Sequence, residues 1–197
     1  MAKRTQRQIE ATAIHEAGHA VIARVLTLFA GSATIKIDHD SAGHSVSYDP
    51  WAAIHEWEKR GRVRGLGAVW HARIIAFMAG AEAERELLGS ALPGDEDDRH
   101  QIELMAEELC RDEISWEKLE PRLRTMTRML VRRHRTRIDR VADALFAKTT
   151  LSGEELDRLV GRSVADVRVN APFLLEMYRP SGKKKTFNDC SRVRSCR

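Results

Sequence analysis

From Gln6 to about Leu28, the residues Ile14, Ala17, Val21, Val25 and Leu28 recur at three- and four-residue steps, the spacing of one apolar helix face. Any fold open to this chain must pack that long helix against a core. Inside it, however, sit two histidines and a carboxylate, His15, Glu16 and His19. Polar groups carried into a core need partners, so the helix predicts both a fold and a question.

Residues four apart lie on one helix face, so His15 and His19 stand one above the other and can hold a single ion through two imidazole nitrogens. Glu16, about 100° further round the axis, is near enough to act on a water without binding the ion. Metal-assisted hydrolysis needs this division of labour. Zinc lowers the pKa of water from 15.7 towards about 7 and steadies an oxyanion, while a carboxylate takes the proton and later returns it to the leaving amine. The pattern H-E-x-x-H arises by chance in roughly one chain of this size in two hundred. Here it falls within a helical period, so a zinc site outweighs coincidence.

A third ligand is then required, and spacing leaves Glu82, Glu84, Asp95, Asp97, Asp98, His71 and His100 open. The acids from 95 to 98 equally suit a helix N-terminus. Glu84 shares a face with Ala76 and Gly80; if buried it needs a partner, such as the N–H of a ligand histidine. Gly18 costs about 1 kcal/mol against Ala in a helix interior, which suggests a helix packed closely there. His39, His44 and His71 are unranked candidates to assist an oxyanion.

The remaining pattern predicts an α+β chain, mainly α-helical, with one small sheet. Gly31-Ser32 is expected to end the first helix, and Ala33–Asp38 and His44–Tyr48 read as strands. A helix rich in small residues runs from Ala68 to Leu88 and should be central. Another opens on Asp95–Asp98 and reaches about Asp112, and a long Arg-rich one spans Arg122 to about Lys148. Ser152 and Glu155 fit a capping box before a short helix to Val160. One domain is expected over 1–175, followed by a flexible basic tail over 176–197. Trp51, Trp57, Trp70 and Trp116 read as packing residues.

From Ser181 onward, six Lys or Arg face one acid, a larger surplus than the net +4 of the whole chain. The body is therefore slightly acidic, which argues against a basic nucleic-acid-binding domain, and the helix arginines read as a solvated face with acidic partners. Three cysteines, Cys110, Cys190 and Cys196, make neither a disulfide framework nor a metal pattern. With no secretory or membrane-spanning stretch, the expected setting is cytoplasmic.

Four separated segments, taken in order, resemble the M41 peptidase domain of the FtsH-type ATP-dependent membrane proteases. They are Thr12–Val21, Ala79–Glu84 with Gly89, Gly94–Asp98, and His134–Leu159. The resemblance implies a zincin-like active-site helix, a C-terminal helical bundle and bound zinc (Zn2+). It implies Asp98 as third ligand, with Asp97 one register away, and Glu84 near the metal. Thr34, Ile35, Lys36 and Ile37 match that family's edge strand, along which a peptide substrate adds by main-chain hydrogen bonds. The chain lacks the phosphate-holding G-x-x-x-x-G-K-[ST] loop of the family's motor, and its membrane anchor. That implies an ATP-independent endopeptidase acting on peptides, unfolded segments, or substrates brought by a separate ATPase or adaptor. The stretch from Glu113 to Arg122 is shortened against the family, which counts against its hexameric ring, although an oligomer of another kind stays open. The competing expectation is a catalytically silent module of the same fold, holding a partner protein or nucleic acid.

Overall fold

The computed structural model describes residues 4–26, 28, 30–36, 44–47, 66–110 and 115–161. Ile37, His39, Trp51, Trp57, the domain limit at 175 and the tail from 176 lie outside them. The architecture is α+β and mainly helical, with one small antiparallel sheet. Among the described residues, no helix is long and apolar enough to cross a membrane.

Helix α1 spans Gln6–Val25. Thr5 starts it with a capping box: its hydroxyl accepts the Gln8 N–H, and the Gln8 side chain accepts the Thr5 N–H. The second half of α1 is buried on every side rather than on one face, from Ala20 to Val25 without a gap. The reason is its position, with α2 (Leu66–Leu88) on one flank, α5 (Arg135–Lys148) on another and the sheet against it. Gly18 marks the crossing with α2. A Cβ there would fall 2.6 Å from the Ala79 carbonyl oxygen and 2.9 Å from the Ala83 Cβ, so close helix packing accounts for this glycine.

After α2 the chain turns between Gly89 and Gly94, at φ 82° and 128°, conformations that favour glycine, and enters α3, Glu96–Leu109. The expected long Arg-rich helix is two helices, α4 (Trp116–Arg133) and α5. Pro121 lies inside α4; it removes one hydrogen bond near the helix start without stopping it. His134 makes the break: its N–H bonds to the Leu130 carbonyl, and its own carbonyl accepts the Arg137 and Ile138 N–H groups. The break lets Leu123, Thr127 and Leu130 of α4 face α2 while Ile138, Val141 and Leu145 of α5 face α1.

Three arginines of α4, Arg124, Arg128 and Arg132, are taken up by acids on α2. Buried Glu82 receives Arg124 at 3.5 Å and Arg128 at 3.1 Å, besides Arg85 of its own helix at 3.0 Å, and Glu86 receives Arg132 at 2.9 Å. A carboxylate only 3% exposed needs such partners, so Arg124 and Arg128 serve the packing of α4 on α2.

The sheet has the order β2-β1-β3, with β1 at Ala30–Thr34, β2 at His44–Ser47 and β3 at Thr150–Leu151. The first strand thus begins three residues earlier than Ala33 and includes Gly31-Ser32, expected to be a helix stop. Thr149, at φ 65°, turns the chain out of α5, and its carbonyl accepts the Ile35 N–H at 2.8 Å. Ser152 and Glu155 form the expected capping box at the start of α6, Gly153–Val160. Arg24, buried near the end of α1, ties these parts together through Asp157 at 2.8 Å and the carbonyls of Gly31 and Gly153.

β1 is therefore the middle strand. Thr34 is flanked by His44 on one side and Thr150 on the other, while Ile35 and Lys36 lie beyond the strand end. Of the stretch Thr34–Ile37, read as an edge strand open to a substrate, Thr34 is paired on both sides and is not an edge position, the Ile35 N–H is taken by the Thr149 carbonyl, and Ile37 lies outside the described residues. An outer position belongs instead to β2.

Candidate metal centre

His15 and His19 project from α1 towards α2, their ring centroids 4.6 Å apart and nearly perpendicular. What holds each ring is on one face of α2, at four-residue steps. The Ala76 carbonyl accepts the Nδ1–H of His19 at 2.7 Å, and Glu84 accepts that of His15 at 2.6 Å. Gly80, halfway between them, makes room: a Cβ there would lie 2.5 Å from both Nε2 atoms. With Nδ1 occupied as a donor, each imidazole turns Nε2 outward as the atom left to bind a cation.

Both Nε2 atoms point at one carboxylate oxygen. Asp98 Oδ2 stands 2.9 Å from His15 Nε2 and 3.0 Å from His19 Nε2. Asp98 lies in the first turn of α3; its neighbour Asp97 is exposed. The helix phase thus separates the two aspartates that sequence left one register apart. The other candidates sit elsewhere. Glu82 is bound by arginines, Asp95 pairs with Arg99 at 2.9 Å, and His100 is exposed. His71 lies where the charge of Arg122 reaches it, and it belongs to no metal-holding cluster found among the described residues.

Two imidazoles and one carboxylate are the donor set of open zinc sites, and ligand bonds of about 2.0–2.2 Å would set such donors roughly 3.3 Å apart. His15, His19 and Asp98 offer ligand atoms all within 4.8 Å of one another. The residues therefore fit a zinc ion with small adjustments, and Glu16, 5% exposed, lies beside them on α1.

Without metal, carboxylate charge dominates the cluster. Burial opposes a charged His15, but the hydrogen bonds to Asp98 and Glu84 and the charges of Asp98 and Glu16 override it and lift its pKa from 6.5 to about 10. His19 moves the same way: burial is again overruled, here chiefly by Asp98. For Asp98, burial raises and the two histidines lower, and the net effect holds it below the usual carboxylate range. A pKa raised in the folded state stabilises fully below the unfolded value and is lost as pH rises through the folded one. The metal-free protein should therefore lose thermal stability between about pH 6.5 and 10. Zinc requires those histidines unprotonated, so saturating zinc should flatten the loss, and zinc uptake should release protons. Melting temperatures across this range, with and without zinc, check both; an unchanged slope contradicts a zinc centre at His15.

Sequence had marked His15, Glu16, His19, Glu84 and Asp98, and the fold brings the ligand atoms together. It had not marked Ala76, whose contribution is a main-chain oxygen, nor the clearance at Gly80. The recurrence of Ala76, Gly80 and Glu84 on one face was the available signal. No family model matches the chain, and no curated protein matches it.

Proposed function

We propose that this chain is a zinc-dependent endopeptidase that hydrolyses peptide bonds in unfolded or flexible substrates without ATP. The observation that carries the reading is the convergence of His15 Nε2, His19 Nε2 and Asp98 Oδ2, with Glu16 on the same helix turn. Bound zinc supplies Lewis acidity, making water a nucleophile near neutral pH and steadying negative charge on a carbonyl oxygen.

The chain's own residues do the rest. Glu84 and the Ala76 carbonyl hold the two rings so that Nε2 is offered to the metal. Asp98 adds a negative charge that offsets the cation. Glu16 takes the proton of the attacking water and returns it to the leaving amine. A carboxylate base beside the ligands is what a purely structural site would lack, which weighs against a silent module. The pairing of Arg124, Arg128 and Arg132 with acids of α2 weighs against nucleic acid as partner. The order of the four segments that resemble the FtsH-type peptidase domain supports the same reading.

The direct test is metal content of the purified chain together with cleavage of an unfolded protein such as casein. We expect about one zinc per chain, cleavage that stops on chelation, and recovery on adding zinc. Protein without zinc, or cleavage indifferent to chelation, overturns the proposal.

A further inference from the structure

The three ligand atoms come from two parts of the chain. His15 and His19 share α1, whereas Asp98 arrives on α3, through the turn that begins at Gly89. Nothing in α1 dictates where that turn sits. Yet one buried side chain touches both parts. Glu84, 4% exposed, accepts the His15 Nδ1–H on Oε1 at 2.6 Å and the main-chain N–H of Leu92 on Oε2 at 2.7 Å. Leu92 lies within the turn bounded by Gly89 and Gly94, on the way to Asp98.

We propose that Glu84 sets the spacing between the two halves of the metal centre, acting as a positioning residue for Asp98 through Leu92 as well as for His15. The inference rests on the zinc reading above. Its chemical basis is that both groups facing Glu84 are donors once His15 offers Nε2 to a metal, and only a carboxylate presents an acceptor to each. Glutamine at 84 would turn its NH2 group towards one of them, leaving a buried donor against a donor. Aspartate, shorter by one methylene, would not span both from the same place on α2. Sites of this kind require ligands held to about 0.5 Å, and the turn, with a glycine at φ 82° or 128° at each end, needs an outside tie to hold that precision.

The test is a double-mutant cycle on zinc affinity, measured by chelator competition in the full chain, with Glu84→Gln, Asp98→Asn and both together. If Glu84 acts through Asp98, Glu84→Gln weakens zinc roughly 10- to 100-fold in the native background and far less once Asp98 is gone. In the metal-free protein the Leu92 amide should also exchange roughly tenfold faster in Glu84→Gln. Equal losses in both backgrounds, or an unchanged Leu92 amide, overturn the inference, because a residue serving His15 alone would give them. Should Glu84→Gln not fold, Leu92→Pro removes the N–H while keeping the His15 contact, and its loss of affinity should likewise require Asp98. Coupling without any peptide cleavage would overturn the peptidase reading and leave this one standing; additive losses in an active peptidase would do the reverse.

Discussion

Glu16→Gln should keep its zinc and lose its cleavage. The substitution preserves volume at a position only 5% exposed, so the fold has little reason to change. It also removes one of the negative charges that favour protons on His15 and His19. That eases competition between metal and proton but weakens attraction for the cation, and the two effects oppose each other. Metal content should therefore stay near that of the native chain. The reaction differs: without a base, the water must surrender its proton to bulk solvent, and general-base catalysis is worth roughly a hundred- to ten-thousand-fold. Because Glu16 acts in the transition state and not on the bound peptide, kcat should fall while KM holds. Zinc-loaded Glu16→Gln protein that cleaves casein at the native rate would remove Glu16 from the mechanism.

How much of this was legible before the fold was known depended on how local the determining physics is. The pair His15 and His19 was readable because four residues make about one helical turn whatever surrounds them. Asp98 was not, since its approach to α1 depends on the course of the turn after α2, and only the resemblance singled it out. Once α3 begins at Glu96, the choice between Asp97 and Asp98 reduces to which faces inward. The strand was misplaced because Gly31-Ser32 reads as a stop when taken alone, whereas in the fold the pair occupies an irregularity of β1 between Ala30 and Ala33, each of which pairs with β2. The break at His134 was hidden for a different reason. The period of Leu123, Thr127 and Leu130 runs on to Ile138, Val141 and Leu145 without slipping phase, with His134 in step. A division caused by two different packing partners leaves no mark on such a pattern.

Gly80→Ala should abolish tight zinc binding in a protein that still folds as helices. In an ordinary helix interior the change would stabilise by about 1 kcal/mol, so helix propensity predicts improvement. The site predicts the reverse. The added Cβ would stand 2.5 Å from His15 Nε2, 2.5 Å from His19 Nε2 and 2.7 Å from His15 Cδ2, closer than nonbonded atoms approach. Neither ring is free to swing aside, because Glu84 and the Ala76 carbonyl grip them from the same helix that carries the new methyl. Relief must come from breaking one of those bonds or from parting α1 and α2, and either move takes Nε2 away from Asp98. A displacement near 1 Å is enough to cost roughly a hundredfold in a catalytic site. Gly18→Ala offers the comparison. Its Cβ meets the Ala79 carbonyl oxygen and the Ala83 Cβ, at 2.6 and 2.9 Å, and no ligand atom is among these nearest neighbours. That variant should lose stability, about 1–3 kcal/mol for overpacking, and zinc affinity less than Gly80→Ala does. Chelator competition and thermal melts on both variants separate the effects. If Gly80→Ala bound zinc as tightly as the native chain, the Nε2 atoms could not be the ligands, and the site would have to be drawn again from other atoms.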